Sequence, residues 1–142
     1  MLPPRPTAGS VAVVKQSLQC AADVMRPGVV VVSRSTTLDG VARVMREHGV
    51  HGVLVTADDG ELLGWVTARG LLRHSQPDEW RHSAAHDAIS EPCVSVVPSA
   101  TVADARDAML AADVSRLAVI RPGSRVPDGV VAEIDLVGHL SR

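Results

Sequence analysis

The chain repeats itself, and this repeat limits the fold more than any other feature of its 142 residues. Matching residues recur at a shift of 64 positions from Asp23/Asp87 to Val55/Val119, and at 65 positions from Gly64/Gly129 to His74/His139. Chance rarely keeps so many matches in register with a single one-residue insertion. The sequence therefore predicts two similar units of roughly 55–60 residues, each too small to bury a stable core by itself.

The repeat also suggests where the units begin and end. Residues 1–19 form an N-terminal lead-in with three early prolines, and Val11–Gln19 is compatible with either a short strand or a helix. The first unit covers residues 20–75 and the second residues 84–142, with residues 76–83 as the linker. Ser75-Gln76-Pro77-Asp78 is typical of a linker turn.

Each unit has the same predicted order of elements, β-α-β-β-α. Thr37 and Thr101 stand where helix N-caps belong, and the apolar residues after them recur at helical spacing up to Gly49 and Asp113. The predicted strands are Val29–Val32, Val50–Thr56 and Leu62–Val66, then Cys93–Val97, Val114–Ile120 and Gly129–Val131; the closing helices are Ala68–His74 and Glu133–Leu140. The predicted fold class is α+β, with two pseudo-symmetric units packed through their sheets and two clefts where they meet.

Composition excludes several classes of function. Hydrophobic residues make up 46% of the chain, which is enough for a core, and the formal net charge of -2 argues against a nucleic-acid partner. No apolar run is long enough to span a membrane, and no signal peptide is evident, so we expect a cytoplasmic protein. The chain has no glycine-rich phosphate loop or nucleophile–base pattern, so we predict that it is not an enzyme.

Three stretches resemble the cystathionine-β-synthase (CBS) domain. They are the opening Asp23-Val24-Met25-Arg26-Pro27, the helix end Met45-Arg46-Glu47-His48-Gly49-Val50, and the Gly64-Trp65-Val66-Thr67 strand. The resemblance covers about residues 20–142 and extends to the tandem arrangement, which this family calls a Bateman module. It implies a non-catalytic module that binds adenosine-containing ligands (AMP, ADP, ATP or S-adenosylmethionine) in its clefts and that assembles as a homodimer.

The resemblance also implies a ligand signature at the last strand–helix junction, where a Ser or Thr is followed three residues later by Asp. The Asp would bind the ribose diol, and the hydroxyl would help to bind phosphate. The first unit has Thr67 but Gly70, and the second has Ala132 followed by Asp135, so neither copy is complete. Thr67 and Asp135 are therefore candidate ligand contacts, although both also suit a plain helix cap.

Further candidates lie near the predicted clefts. Arg116 and Arg69 could reach a phosphate or could be solvated and ion-paired, and His51 could face a cleft or be exposed. Trp65 could cover a nucleobase or fill the aliphatic core. His82 and His86 lack a further ligand at matching spacing, so we predict no metal site and no required cofactor.

Two functions remain open from the sequence. The first is a stand-alone regulatory module that senses an adenosine ligand, through Asp135 in at least one cleft, and signals to a separate, unidentified protein. The second is a dimerisation or docking scaffold that has lost its ligand, because each copy of the signature lacks one residue.

Overall fold

The computed structural model of the chain describes residues 19–74 and 76–140. The predicted lead-in, apart from Gln19, lies outside these residues. The first repeat contains helix α1 (Ala21–Val24), strands β1 (Arg26–Pro27) and β2 (Val31–Ser33), helix α2 (Leu38–His48), strands β3 (Gly52–Thr56) and β4 (Leu62–Thr67), and helix α3 (Ala68–Arg73).

Helix α4 (Pro77–His82) connects the repeats. The second repeat contains a 3-10 helix (Ala85–Ala88), strand β5 (Ser95–Val96), helix α5 (Val102–Ala112), strands β6 (Arg116–Val119) and β7 (Gly129–Ala132), and helix α6 (Glu133–Leu140). The predicted α+β class and the duplicated order of elements are confirmed.

Threonine caps set the start of the central helix in each unit. The Thr37 hydroxyl accepts a hydrogen bond from the Gly40 N–H, and the Thr101 hydroxyl accepts one from the backbone N–H of Asp104. The Asp104 carboxylate in turn accepts from the Thr101 N–H, which completes a capping box. Both predicted caps are therefore confirmed.

The central helices end in left-handed residues, and this shortens the strands that follow. Gly49 has a φ of 63° and Asp113 a φ of 54°. The next residue then donates back to the helix, with bonds from the Val50 N–H to the Met45 carbonyl and from Val114 to Met109. These valines belong to the helix caps, so β3 and β6 begin two residues later than predicted.

Within the described residues the strands form two sheets. The first has the order β2-β3-β4, and the second has the order β1-β7-β6-β5. Strands β2 and β3 are parallel, as are β5 and β6, whereas β3–β4, β6–β7 and β1–β7 are antiparallel. The sheets face each other through Leu54, Trp65 and Ala118, which confirms that the units pack through their sheets.

The opening segment of each repeat packs against the other repeat. Strand β1 pairs with β7, and Ala21 lies in the core of the second unit. Ala85 and Ala88 lie in the core of the first unit. A side chain at Gly129 would collide with Met25 and the Arg26 carbonyl, so only glycine allows β1 to approach so closely. The two units therefore interlock.

The connection between the repeats is helical where the sequence predicted a turn. Pro77 and Asp78 begin helix α4, because proline suits the first position of a helix and the acidic residues after it favour its N-terminal end. Trp80 packs against the first core, and its indole N–H donates to the His74 carbonyl. This helix fixes the linker to the first unit.

Candidate functional site

A large cleft of about 710 Å³ opens between the two units. The first unit contributes the segments from Arg26 to Val31 and from His48 to Gly52, together with Trp65. The second unit contributes Arg116 and three residues of β7 and the start of α6: Val130, Ala132 and Ile134. Because both units line the cleft, a bound molecule would contact both.

Arg116 lies across the boundary between the units. Its guanidinium carbon is 5.7 Å from the centroid of the Trp65 ring, and a side chain at Gly52 would overlap the guanidinium. Gly52 and Arg116 occupy equivalent positions of the repeat, so the missing side chain on one copy makes room for the arginine of the other. Burial lowers the pKa of Arg116, while the negative charges of Glu91 and Glu133 act in the opposite direction. A guanidinium nonetheless stays protonated in proteins, so Arg116 brings a fixed positive charge to the cleft.

Trp65 fills the aliphatic core, which is one of the two roles considered for it from the sequence. Its side chain is only 1% exposed and lies between the two sheets, yet it also lines the large cleft. Its indole N–H has no hydrogen-bond partner among the described residues. A buried donor without a partner costs about 1–3 kcal/mol, which an acceptor near the indole would recover.

Arg26 and Asp135 form an ion pair between β1 and the start of α6. The Arg26 Nε donates to Asp135 Oδ1 at 3.1 Å, and the Ala132 N–H donates to Asp135 Oδ2 at 2.8 Å. Arg26 lines the large cleft, whereas Asp135 lines a smaller pocket of about 280 Å³ beside it. Asp135 is therefore joined to the large cleft through Arg26.

Of the described residues that line the large cleft, the titratable ones are all basic: Arg26, His48, His51 and Arg116. No Asp or Glu is among these described lining residues. His48 is fixed by a bond of 3.0 Å between its Nδ1 and the Val44 carbonyl oxygen, and His51 is exposed. The remaining lining residues are almost all apolar. The cleft thus offers an apolar surface with positive charge around it, which suits an anion that carries an aromatic or apolar group.

In the pseudo-equivalent region around Thr67, the polar side chains bond to other groups of the chain. The Thr67 hydroxyl accepts from the Gly70 N–H at 3.0 Å and lies 3.0 Å from the Ser90 hydroxyl. The Glu91 carboxylate accepts from the Ser115 N–H at 2.9 Å and from the Ser115 hydroxyl at 2.6 Å. The polar groups that a ligand would need here are already bonded within the chain.

The structure brings together only some of the candidate residues. Arg116 and His51 line the large cleft, and Asp135 adjoins it through Arg26. Thr67 is 7% exposed, is bonded to Gly70 and Ser90, and does not line the large cleft. Arg69 is exposed on α3 and does not line the large cleft either. Contact of these five residues with a ligand stays a prediction.

Sequence reasoning missed Arg26 as a cleft residue. The repeat places Arg26 opposite Ser90 and Pro27 opposite Glu91. In the structure Arg26 donates a hydrogen bond to Asp135. Its equivalent, Ser90, instead contacts the Thr67 hydroxyl. The two residues therefore bond different partners in the two repeats. A comparison of mismatches, rather than matches, would have drawn attention to them.

Within the described residues, no group of three or more His, Cys, Asp or Glu side chains is arranged to hold a metal ion. Among residues 19–74 and 76–140, no helix has the length and apolar character required to cross a membrane.

Comparisons with known proteins agree with this architecture. Hypoxic response protein 1 of Mycobacterium tuberculosis is 30% identical over 125 residues, with 84% of each chain covered. A crystal structure of Hypoxic Response Protein I with two coordinated zinc ions has a TM-score of 0.68 and 25% identity, covering 85% of this chain and 98% of that one. The CBS domain of a bacterial CNNM/CorC family Mg²⁺ transporter, in complex with ATP, shares the fold with a TM-score of 0.77 and 16% identity, covering 97% and 98%.

The family model for the CBS domain matches the chain twice, at residues 21–76 and at residues 85–142. These two matches span most of the sequence and coincide with the two interlocked units. The chain therefore belongs to the CBS-domain family and contains a tandem pair of CBS domains.

Proposed function

We propose that this CBS pair is a regulatory module that binds an adenosine-containing ligand in the large cleft and signals to a separate protein. The observation that carries the proposal is the cleft itself, which both units line and in which Arg116 lies over Trp65. An apolar surface suits a nucleobase, and the arginine suits a phosphate. Pairs with this fold are generally regulatory, and one relative of the same fold was solved in complex with ATP.

A regulatory effect would arise from the interlocked units. A ligand in the large cleft contacts residues of both, so it can favour one relative arrangement of the units over another. The extent of the response is limited by the difference in affinity between these arrangements. This reading requires no catalytic group in the cleft.

Calorimetric titration tests the proposal. We expect at least one of AMP, ADP, ATP and S-adenosylmethionine to bind at or below millimolar concentration. Arg116→Gln should weaken binding of the phosphate-bearing ligands about tenfold or more, because a charged hydrogen bond contributes about 1.5–3 kcal/mol. Arg69→Gln, which removes an exposed arginine outside the large cleft, is the matched control and should change little. Absence of heat with all four ligands at millimolar concentration would exclude the proposal.

A second candidate function is a dimerisation scaffold, and exposed apolar side chains favour it. Leu72 on α3 is 74% exposed, and Val137, its equivalent on α6, is 57% exposed. Ile134 and Leu140 extend this surface on α6. We propose that these helices form a homodimer contact, which is compatible with ligand binding. Sedimentation should show a dimer that Leu72→Glu combined with Val137→Glu converts to monomer; an unchanged mass would contradict this contact.

A further inference from the structure

Arg26 is the cleft arginine whose partner a ligand can most easily replace. Its side chain is 66% exposed and lines the large cleft, and its Nε donates to Asp135 at 3.1 Å. Arg116, by comparison, is half-buried and lies against Trp65 and Gly52. The arginine end of this pair is exposed, so water and salt screen its attraction to the carboxylate. The guanidinium is therefore accessible to a competing anion in the cleft.

Each carboxylate oxygen of Asp135 accepts a hydrogen bond while this ion pair is present. One carboxylate oxygen accepts from Arg26 and the other accepts from the Ala132 N–H. Its side chain is only 12% exposed, so a ligand hydroxyl has little access to the acid unless Arg26 moves. Removal of Arg26 would free one oxygen of Asp135 and leave the other in the helix cap.

The charge of the cleft determines what can displace Asp135. In the part of the chain that the structure describes, the titratable lining residues are two arginines and two histidines, without an acid. A phosphate binds a guanidinium through charge-assisted, often bidentate hydrogen bonds that are stronger than a single exposed carboxylate contact. S-adenosylmethionine carries a sulfonium cation, which this lining repels.

We propose that Arg26 exchanges Asp135 for a phosphate group of the ligand and so makes the large cleft selective for phosphate-bearing adenosine ligands. The same exchange releases β1 from the start of α6, so ligand binding alters one contact between the interlocked units. This inference rests on the proposed function, because it requires an adenosine ligand in the large cleft. Beyond the proposed function, it states that the ligand carries phosphate and that Arg26 selects for this phosphate.

The chain supplies a matched control for Arg26. Arg121 is also 66% exposed, and its Nε also lies 3.1 Å from a carboxylate, that of Asp128. Arg121 does not line the large cleft. Arg26→Gln and Arg121→Gln therefore remove the same charge and the same type of ion pair, and they differ in their position relative to the cleft.

The test is calorimetric titration of the wild type and both variants with adenosine, ATP and S-adenosylmethionine. We expect the wild type to bind ATP at least about tenfold more tightly than adenosine or S-adenosylmethionine. Arg26→Gln should reduce the ratio of ATP affinity to adenosine affinity about tenfold, while adenosine itself binds equally well or up to about fivefold more tightly because Asp135 is released. Arg121→Gln should leave both affinities unchanged.

The outcomes separate this inference from the proposed function. If Arg26→Gln leaves the ratio unchanged or weakens adenosine, or if S-adenosylmethionine binds the wild type as tightly as ATP, the exchange is wrong and the adenosine site stands. If none of these three ligands binds the wild type, and AMP and ADP do not bind either, the site itself is wrong and the inference fails with it.

Discussion

Glu91 and Pro27 occupy equivalent positions of the two repeats and have opposite effects on the two clefts. The Glu91 carboxylate bonds Ser115 through both its backbone N–H and its hydroxyl. Proline has no side-chain acceptor, and Pro27 lines the large cleft together with His51, the equivalent of Ser115. The same position of the repeat thus adds hydrogen bonds in the second unit and leaves an apolar lining residue at the large cleft.

Replacement of Glu91 should therefore destabilise the fold. Glu91→Ala removes two hydrogen bonds from a half-buried serine, and we expect the free energy of unfolding to fall by about 1–2 kcal/mol. Urea denaturation measures this change. Glu47→Ala, at an exposed position of α2, serves as the control and should stay within about 0.5 kcal/mol of the wild type. Equal losses in the two variants would contradict a bridging role for Glu91.

Asp135 illustrates what the sequence could and could not predict about the site. Its place at the start of the last helix followed from the repeat, and the structure shows it accepting from the Ala132 N–H. Its partner Arg26 is 109 residues away in the chain. No local pattern predicts such a pair, because it depends on the interlocking of β1 with β7.

At the scale of elements, the two central helices end in the same backbone conformation with different residues. Gly49 adopts the left-handed region without strain, whereas Asp113 adopts it with a side chain. Both residues also donate to two helix carbonyls, so the conformation is required by the cap. The second unit therefore has a strained position that the first unit lacks.

Asp113→Gly should relieve this strain. We expect the free energy of unfolding to rise by about 0.5–1 kcal/mol, since glycine adopts positive φ at no steric cost. The same change inside α5, Asp107→Gly, should lower the free energy of unfolding by about 0.5 kcal/mol, because it reduces helix propensity and removes an ion pair with Arg106. Thermal unfolding of the two variants measures both changes, and a destabilised Asp113→Gly variant would refute the argument.

Element types and order were predictable because hydrophobic periodicity and threonine caps are local signals. Helix α6 has the predicted bounds, Glu133–Leu140. Strand starts were less accurate, since the valines after Gly49 and Asp113 belong equally well to a strand by composition. Helix α4 was missed because Gln76 and Pro77 are typical of turns, and its packing depends on the first core, which Trp80 contacts.

At the scale of the whole molecule, duplication produces an approximate symmetry that the side chains break. The repeat predicted the two sheets and the clefts between them. It did not predict which cleft has space for a ligand, because this depends on contacts between residues far apart in the chain, such as Arg116 with Gly52 and Glu91 with Ser115. The first contact joins the two units, and the second joins residues 24 positions apart within the second unit, so neither follows from a local pattern.

This asymmetry makes the central claim measurable as a stoichiometry. The large cleft has about 710 Å³ of space and a basic lining, whereas the polar groups around Thr67 are bonded within the chain. Calorimetric titration with ATP, at protein concentrations above the dissociation constant, measures the number of sites directly. We predict one ATP bound per chain. Two ATP molecules per chain, or none, would contradict the claim that one cleft is open to ligand and the other closed.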